Sequence, residues 1–163
     1  MTWQILYNPK AGNGRGKEGA EKLKDILHNG ELTFTDMTDI TDTAAFQRSL
    51  GADDKLVICG GDGTLYEVVN GAYGYPNCEV AVIPLGSGND FVRLFGTKEQ
   101  FCNVEAQVTG IPVELDVIKC GDKIAINQCS MGMDAEVCAK QSYFKKMPLM
   151  TGETAYVAAA LQA

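Results

Sequence analysis

The chain has 163 residues, 45% hydrophobic and 21% charged, with a formal net charge of −7. That is room for one ordinary soluble domain, or one domain and part of another, with enough apolar residues for a real core. The acidic balance argues against nucleic acid as a partner and against electrostatic adhesion to an anionic membrane, though not against brief contact with a lipid.

The start, Met-Thr-Trp-Gln-Ile-Leu-Tyr, passes straight into a strand over Trp3–Tyr7 and lacks the order of a signal peptide. No apolar run in the chain approaches the about 18–20 residues that span a bilayer. Lys17–Asn29 is expected as a helix, with Ala20, Leu23 and Leu27 as its apolar stripe and Gly30 as its stop. Between these elements lies Asn8-Pro9-Lys10-Ala11-Gly12-Asn13-Gly14-Arg15-Gly16. Gly14, Gly16 and Gly19 match the dinucleotide pattern G-x-G-x-x-G, but that fingerprint opens at a strand end, and six residues separate Tyr7 from Gly14. A flexible basic phosphate loop using Lys10, Arg15 and Lys17 fits better, with a plain solvated loop as the alternative. His28, at a helix end where the dipole favours a cation, reads as structural.

Leu32–Thr35 looks extended, and Asp42 can cap a short helix through Leu50. The strand Lys55–Cys59 then breaks into Gly60-Gly61-Asp62-Gly63-Thr64 and opens a helix that runs to Asn70-Gly71. A strand that breaks into glycines and opens a helix brings bare backbone N–H groups to a helix N-terminus, a ready anion site. Asp62 either caps that helix or works at a phosphate indirectly, holding a Mg²⁺-bound water or orienting a nucleophile. The strand Glu79–Ile83 leads into Pro84-Leu85-Gly86-Ser87-Gly88-Asn89 and a helix over 90–95. Ser87 could bond a nucleotide there, and Gly88 allows close approach. Asp90 and Arg93 fall on one turn, as a functional pair or as an ordinary surface ion pair. Thr97 and Gln100 form a capping-box pattern.

Beyond Gly110, Ile111–Lys119 and Lys123–Cys129 read as two antiparallel strands around a Cys120-Gly121-Asp122 turn. Asp116, inside the first, needs a partner such as Arg93 or Lys10 unless it faces water. A basic, methionine-rich stretch follows, and Glu153–Ala163 reads as an apolar helix without a cap, the end of a truncated chain. The six cysteines include no Cys-x-x-Cys pair and no metal spacing, which suits free thiols in a reducing cytoplasm. Alternation of strand and helix over the first two-thirds of the chain gives an α/β domain with a parallel sheet and helices on both faces. Ligands of such sheets bind at the carboxyl ends of the strands, and all three glycine-bearing loops follow strands.

Three motifs occur in order: Asn8-Pro9-x-Ala11-Gly12; Gly60-Gly61-Asp62-Gly63-Thr64-x-x-Glu67-Val68-x-Asn70-Gly71; and Pro84-x-Gly86-Ser87-x-Asn89-Asp90-Phe91-x-Arg93. Together they closely resemble the diacylglycerol kinase catalytic-domain family, which includes bacterial lipid kinases and sphingosine kinases. Asn127 with Gly132-x-Asp134-Ala135-Glu136-Val137, and then Thr154-Ala155-Tyr156, resemble its next segments. Gly-Gly-Asp-Gly alone is shared with the related NAD kinases.

The resemblance implies a nucleotide-binding α/β domain over 1–118, then the beginning of a β-rich second domain over 119–163, with the active site in the cleft between them. It implies transfer of the γ-phosphoryl group of ATP, with Mg²⁺, to a lipid hydroxyl such as that of diacylglycerol. Asn8, Pro9, Lys10, Ala11, Gly12, Thr38, Gly61, Asp62, Gly63, Thr64, Leu65, Tyr66, Glu67, Ser87 and Asn89 would serve the nucleotide. Asp62, Asp90, Arg93 and Asp116, with Asn89 among them, would form the charged network under the phosphates. The family's general base and Mg²⁺ ligands are expected in a C-terminal half that this chain lacks, so no metal ligand is assigned. The chain alone is expected to be inactive, though able to bind nucleotide. A NAD kinase-like enzyme is the alternative, disfavoured by Gly-Ser-Gly-Asn-Asp-Phe where an Asn-Glu pair would be expected. A non-catalytic nucleotide-binding regulator is another. The expected setting is cytoplasmic, with transient peripheral contact at a membrane; a homodimer is also admitted, though truncation can expose apolar surface that favours one.

Overall fold

The structure, a computed structural model, describes residues 2–71, 78–144, 147 and 152–162. In chain order, β1 (Thr2–Tyr7) is followed by a single turn α1 (Ala11–Gly14), α2 (Gly16–Glu21) with a 3-10 turn over Lys22–Asp25, and β2 (Glu31–Asp36). Next come α3 (Thr43–Ser49), β3 (Lys55–Gly60), α4 (Asp62–Gly71) and β4 (Glu79–Pro84). Three short helices follow, α5 (Asp90–Arg93), α6 (Lys98–Phe101) and α7 (Val104–Thr109). After them come a hairpin of β5 (Ile118–Cys120) and β6 (Lys123–Ala125), then α8 (Met133–Phe144) and α9 (Gly152–Gln162). The basic, methionine-rich stretch after Phe144 lies outside the described residues apart from Met147.

β3 is buried at nearly every position, the pattern of a strand covered on both faces. The four long strands form one parallel sheet in the order β2-β1-β3-β4. Side-chain alternation then divides the core into two. Trp3, Ile5, Tyr7, Val57, Cys59 and Ile83 pack with Ala20, Leu23, Leu27 and Val104 on one face. Leu6, Leu56, Ile58 and Val82 pack with Leu50, Leu65, Val68 and Val92 on the other. The α/β sheet expected from the alternating pattern is therefore present.

Local signals hold where the chemistry is local. Asp42 accepts from the Ala45 N–H at 2.8 Å, and the Thr97–Gln100 capping box forms. The helix expected over Lys17–Asn29 is shorter: glycines at 16 and 19 weaken it, and it tightens into a 3-10 turn before Leu27. β4 lies at the end of the sheet order, and Gln107 of α7 acts there as a strand partner. Its Oε1 accepts from the Val82 N–H at 3.1 Å and its Nε2 donates to the Val82 carbonyl at 2.8 Å. This satisfies backbone groups that an open edge would expose.

The region after Gly110 departs from expectation. The two predicted strands shrink to β5 and β6, which pair antiparallel around Gly121-Asp122. Residues 111–117 have no regular structure, with Ile111 92% and Val113 73% exposed. Pro112 removes a backbone donor there, which disfavours ladder pairing. Asp116 is accordingly not a strand residue. It is exposed and, among the described residues, makes no ion pair with Arg93 or Lys10, which leaves the reading in which it faces solvent.

The chain divides into two compact units, Met1–Asn127 and Gln128–Ala163. Asn70 fastens the hairpin within the first, its Oδ1 accepting from the Ile124 N–H and its Nδ2 donating to the Ile124 carbonyl, each at 2.8 Å. In the second, α8 and α9 pair and bury Val137, Ala155 and Ala159. No helix among the described residues is long and apolar enough to cross a membrane. Cys59 is buried, Cys78 half-buried, and Cys102, Cys120, Cys129 and Cys138 are exposed.

Burial pushes the Cys59 thiol up to about 12 from its ordinary 9.0. The folded state therefore keeps a proton that the unfolded chain has lost, so this contribution to stability is whole below pH 9.0 and is lost as pH climbs toward about 12. Urea unfolding should show stability falling above pH 9.0 by up to about 1.4 kcal/mol per pH unit more steeply in the native chain than in Cys59→Ala. Equal slopes would refute the assignment.

Candidate functional site

Backbone register fixes where chemistry can gather. Tyr7 lies opposite both Asp36 and Cys59, and Gly60 lies opposite Pro84, so four strands end on one edge. From the central pair the chain leaves β1 toward β2 and β3 toward β4, in opposite directions. The loops after β1 and β3 diverge and leave a crevice, the usual ligand position of an open parallel sheet.

Asn8 spans that crevice. Its N–H donates to the Cys59 carbonyl at 3.1 Å and its Nδ2 to the buried Thr64 Oγ1 at 3.0 Å. Its Oδ1 accepts from the Lys10 N–H at 3.0 Å, which turns the next residues outward. Gly12 and Asn13 then take left-handed backbone angles (φ 58° and 57°), curling the loop back toward α2. A Cβ on Gly16 would lie 1.8 Å from the Asn8 carbonyl oxygen, and one on Gly19 would lie 2.8 Å from Leu85 Cδ1. These glycines let α2 begin hard against the strand end, which accounts for their spacing without a dinucleotide.

The loop after β3 meets the loop after β4 backbone to backbone. A Cβ on Gly86 would lie 2.7 Å from Gly61 Cα, and one on Gly61 would lie 2.8 Å from Gly86 Cα. Leu85 N–H donates to the Gly60 carbonyl at 2.8 Å, which carries strand-like pairing into the loops. The Gly61 carbonyl accepts from Thr64 and Leu65, opening α4. The N–H groups of Asp62 and Gly63 are left without an acceptor among the described residues. Asp62 does not cap its own helix. Its Oδ1 accepts from the Phe91 N–H at 3.0 Å and so caps α5 instead. A Cβ on Gly88 would lie 3.3 Å from Asp62 Oδ2 and 3.4 Å from Asp90 Oδ2, so two carboxylates converge there. Asp90 also pairs with Arg93 at 3.3 Å on the exposed surface, a contact worth about 0–1 kcal/mol.

These loops line an open cleft of about 720 Å³, within the size range of small-molecule sites. Of the expected residues, Asn8, Lys10, Ala11, Gly12, Gly61, Asp62, Gly63, Thr64, Glu67 and Ser87 line it. The block Gly61–Glu67 is split by the helical period, which sends Leu65 into the core and leaves Tyr66 exposed outside the cleft lining. Pro9 lies close beneath Gly16. Thr38 is exposed at the end of β2, where its N–H and hydroxyl both donate to Asp36 Oδ1, at 2.8 and 2.7 Å. Asn89, Asp90, Arg93 and Asp116 do not line the cleft. Arg15 lines it, its Nε also donating to the Gly12 carbonyl at 3.1 Å. Lys22 and Lys98 line it too, as do Glu18 and Leu85. No motif marks Glu18, Lys22 or Lys98, which arrive through α2, the turn after it and α6; Leu85 comes with the loop after β4, at a position the motif leaves open.

The lining suits a polyphosphate. Lys10, Arg15, Lys22 and Lys98 line a glycine-rich cleft in a chain of net charge −7, against three acids, Glu18, Asp62 and Glu67, of which Glu18 pairs with Lys22. Among the described residues no group of three or more His, Cys, Asp or Glu could cage a metal. Two carboxylates at Gly88 match a Mg²⁺ ion that keeps its waters and is shared with phosphates.

The family model described as the diacylglycerol kinase catalytic domain matches residues 2–120. The chain belongs to that family. A diacylglycerol kinase of Staphylococcus carnosus (strain TM300) is 32% identical over 159 residues, covering 94% of this chain and 51% of that one. One of Bacillus subtilis (strain 168) is 29% identical over 160 residues, covering 94% and 52%. The crystal structure of a diacylglycerol kinase from Bacillus anthracis str. Sterne shares the fold, with a TM-score of 0.60 at 23% identity over 88% of this chain and 53% of that one. The chain spans about half the length of the curated relatives it matches.

The loop contact gives a paired test. Gly86→Ala should lose about 1–3 kcal/mol through overpacking against Gly61. Gly63, with nothing within 4 Å of its added Cβ, should accept alanine without loss of stability. Urea midpoints at one pH decide it, and a Gly86→Ala variant as stable as the native chain would overturn the close-contact account.

Proposed function

We propose that the chain carries the nucleotide side of an ATP-dependent lipid kinase, which transfers the γ-phosphoryl group of ATP to a lipid hydroxyl such as that of diacylglycerol. One observation carries the reading: glycine loops and basic side chains line a cleft against which Asp62 and Asp90 are held, at Gly88. Relatives named diacylglycerol kinase support the acceptor class.

Phosphoryl transfer depends on positioning and charge neutralisation more than on covalent help. Lys10 and Arg15 neutralise phosphate oxygens, and the N–H groups of Asp62 and Gly63 donate to them at the N-terminus of α4. Asn8 and Thr64 hold the two loops at a fixed spacing, and the Ser87 hydroxyl reaches the nucleotide. Asp62 and Asp90 would hold Mg²⁺ through water, with Arg93 holding Asp90. When bound, Mg²⁺ supplies charge neutralisation between phosphate oxygens. In this reading residues 1–118 form the nucleotide domain and 119–163 begin the second. The enzyme works in the cytoplasm and touches the membrane only to reach its lipid.

The full-length protein should transfer label from γ-labelled ATP to diacylglycerol, whereas residues 1–163 alone should bind ATP without transferring it. Asp62→Asn in the full-length protein keeps the acceptor for Phe91 and removes the charge. Transfer should fall at least about 100-fold with the unfolding midpoint unchanged. Label on NAD alone would replace the lipid reading by a NAD kinase. ATP binding without transfer to any lipid would make the protein a regulator.

A further inference from the structure

Asn89 is buried, 5% exposed, and stands outside the cleft lining. Its Oδ1 accepts from the Gly86 N–H at 2.9 Å and its Nδ2 donates to the Gly86 carbonyl at 2.7 Å. Its backbone is left-handed, φ 53° and ψ 46°, a conformation costly for most residues and tolerated by asparagine. Although it precedes α5, it makes no side-chain cap there. That cap comes from Asp62 across the loop contact.

These facts fit one mechanical role. The clasp closes Pro84–Asn89 into a tight loop and sets Gly86 against Gly61. The left-handed turn at Asn89 then starts α5 where Phe91 N–H meets Asp62 and where Asp90 Oδ2 faces Gly88. Resting on the kinase reading above, we propose that Asn89 is a positioning residue, which fixes Asp62 and Asp90 relative to each other through Gly86 and does not contact the nucleotide.

Asn89→Gly in the full-length protein tests this, because glycine accepts the backbone angles and removes the side chain that clasps Gly86. ATP affinity should stay within about threefold while kcat falls about 100-fold, the cost of a small misplacement of catalytic groups. Hydrogen exchange at the Phe91 amide should speed up about tenfold, with or without ATP, as its bond to Asp62 loosens. A raised KM for ATP at unchanged kcat would make Asn89 a nucleotide contact and overturn the proposal. Unchanged exchange at Phe91 would overturn it as well. If the native protein transfers no phosphoryl group, the kinase reading fails, and exchange at Phe91 still decides whether the clasp positions Asp62. Asn89→Asp, which keeps the acceptor and loses the donor, carries the same measurements should the glycine variant not fold.

Discussion

Two glycines touching backbone to backbone set the rest of the site. Gly61 and Gly86 approach so closely that a Cβ on either would fall inside van der Waals contact with the other's Cα. The placement of the two carboxylates beside the cleft follows from that closeness. It brings the start of α4 beside the start of α5, so a carboxylate on one helix can cap the other. It also places Gly88, a residue with no side chain, where the Asp62 and Asp90 oxygens converge. A bulkier residue at any of these positions would separate the loops and scatter the charges.

A second device recurs around this contact. Asn89 on Gly86, Asn70 on Ile124 and Gln107 on Val82 each bond both the N–H and the carbonyl of one backbone residue. A carboxamide offers one acceptor and two donors, so it can imitate a neighbouring strand where none is available. The three sites are a tight loop, a short hairpin and the last strand of the sheet order. Each would otherwise leave polar groups short of partners, at a cost of about 1–3 kcal/mol for every buried one. The polar side chains near the cleft are therefore divided between tethering backbone and facing ligand. A sequence motif does not distinguish these duties.

That division explains what was legible from residues alone. Strands β1, β3 and β4, the Asp42 cap and the Thr97–Gln100 box rest on neighbours a few positions away, and they formed as read. The meeting of glycine loops at one edge was legible because parallel topology forces it. The partner of Asp62 was not. It lies 29 residues away in sequence, where neither a local cap of α4 nor a role at a phosphate points. Nor was the split of Gly61–Glu67, since a motif written as a line does not show that the helix rotates Leu65 into the core. Asp116 misled for another reason. Alternating apolar residues suggest a strand, but between Gly110 and Val117 no neighbouring strand is present among the described residues to complete it.

The charge distribution gives the last step. A net charge of −7 should repel a polyphosphate, and the cleft lining offsets that locally: Lys10, Arg15, Lys22 and Lys98 stand against Glu18, Asp62 and Glu67, with Lys22 paired to Glu18 at 3.3 Å. Exposed cations alone would bind any anion, because screened surface charge attracts without orienting. Orientation comes instead from the rigid parts: N–H groups fixed at the opening of α4, and an aspartate whose one oxygen is committed to Phe91. With Oδ1 committed, the direction of Oδ2 is no longer free. A carboxylate tethered in this way can present charge to a cation or to the water on it at one place without reorganising when the ligand arrives, the condition under which fixed charge is most effective in catalysis.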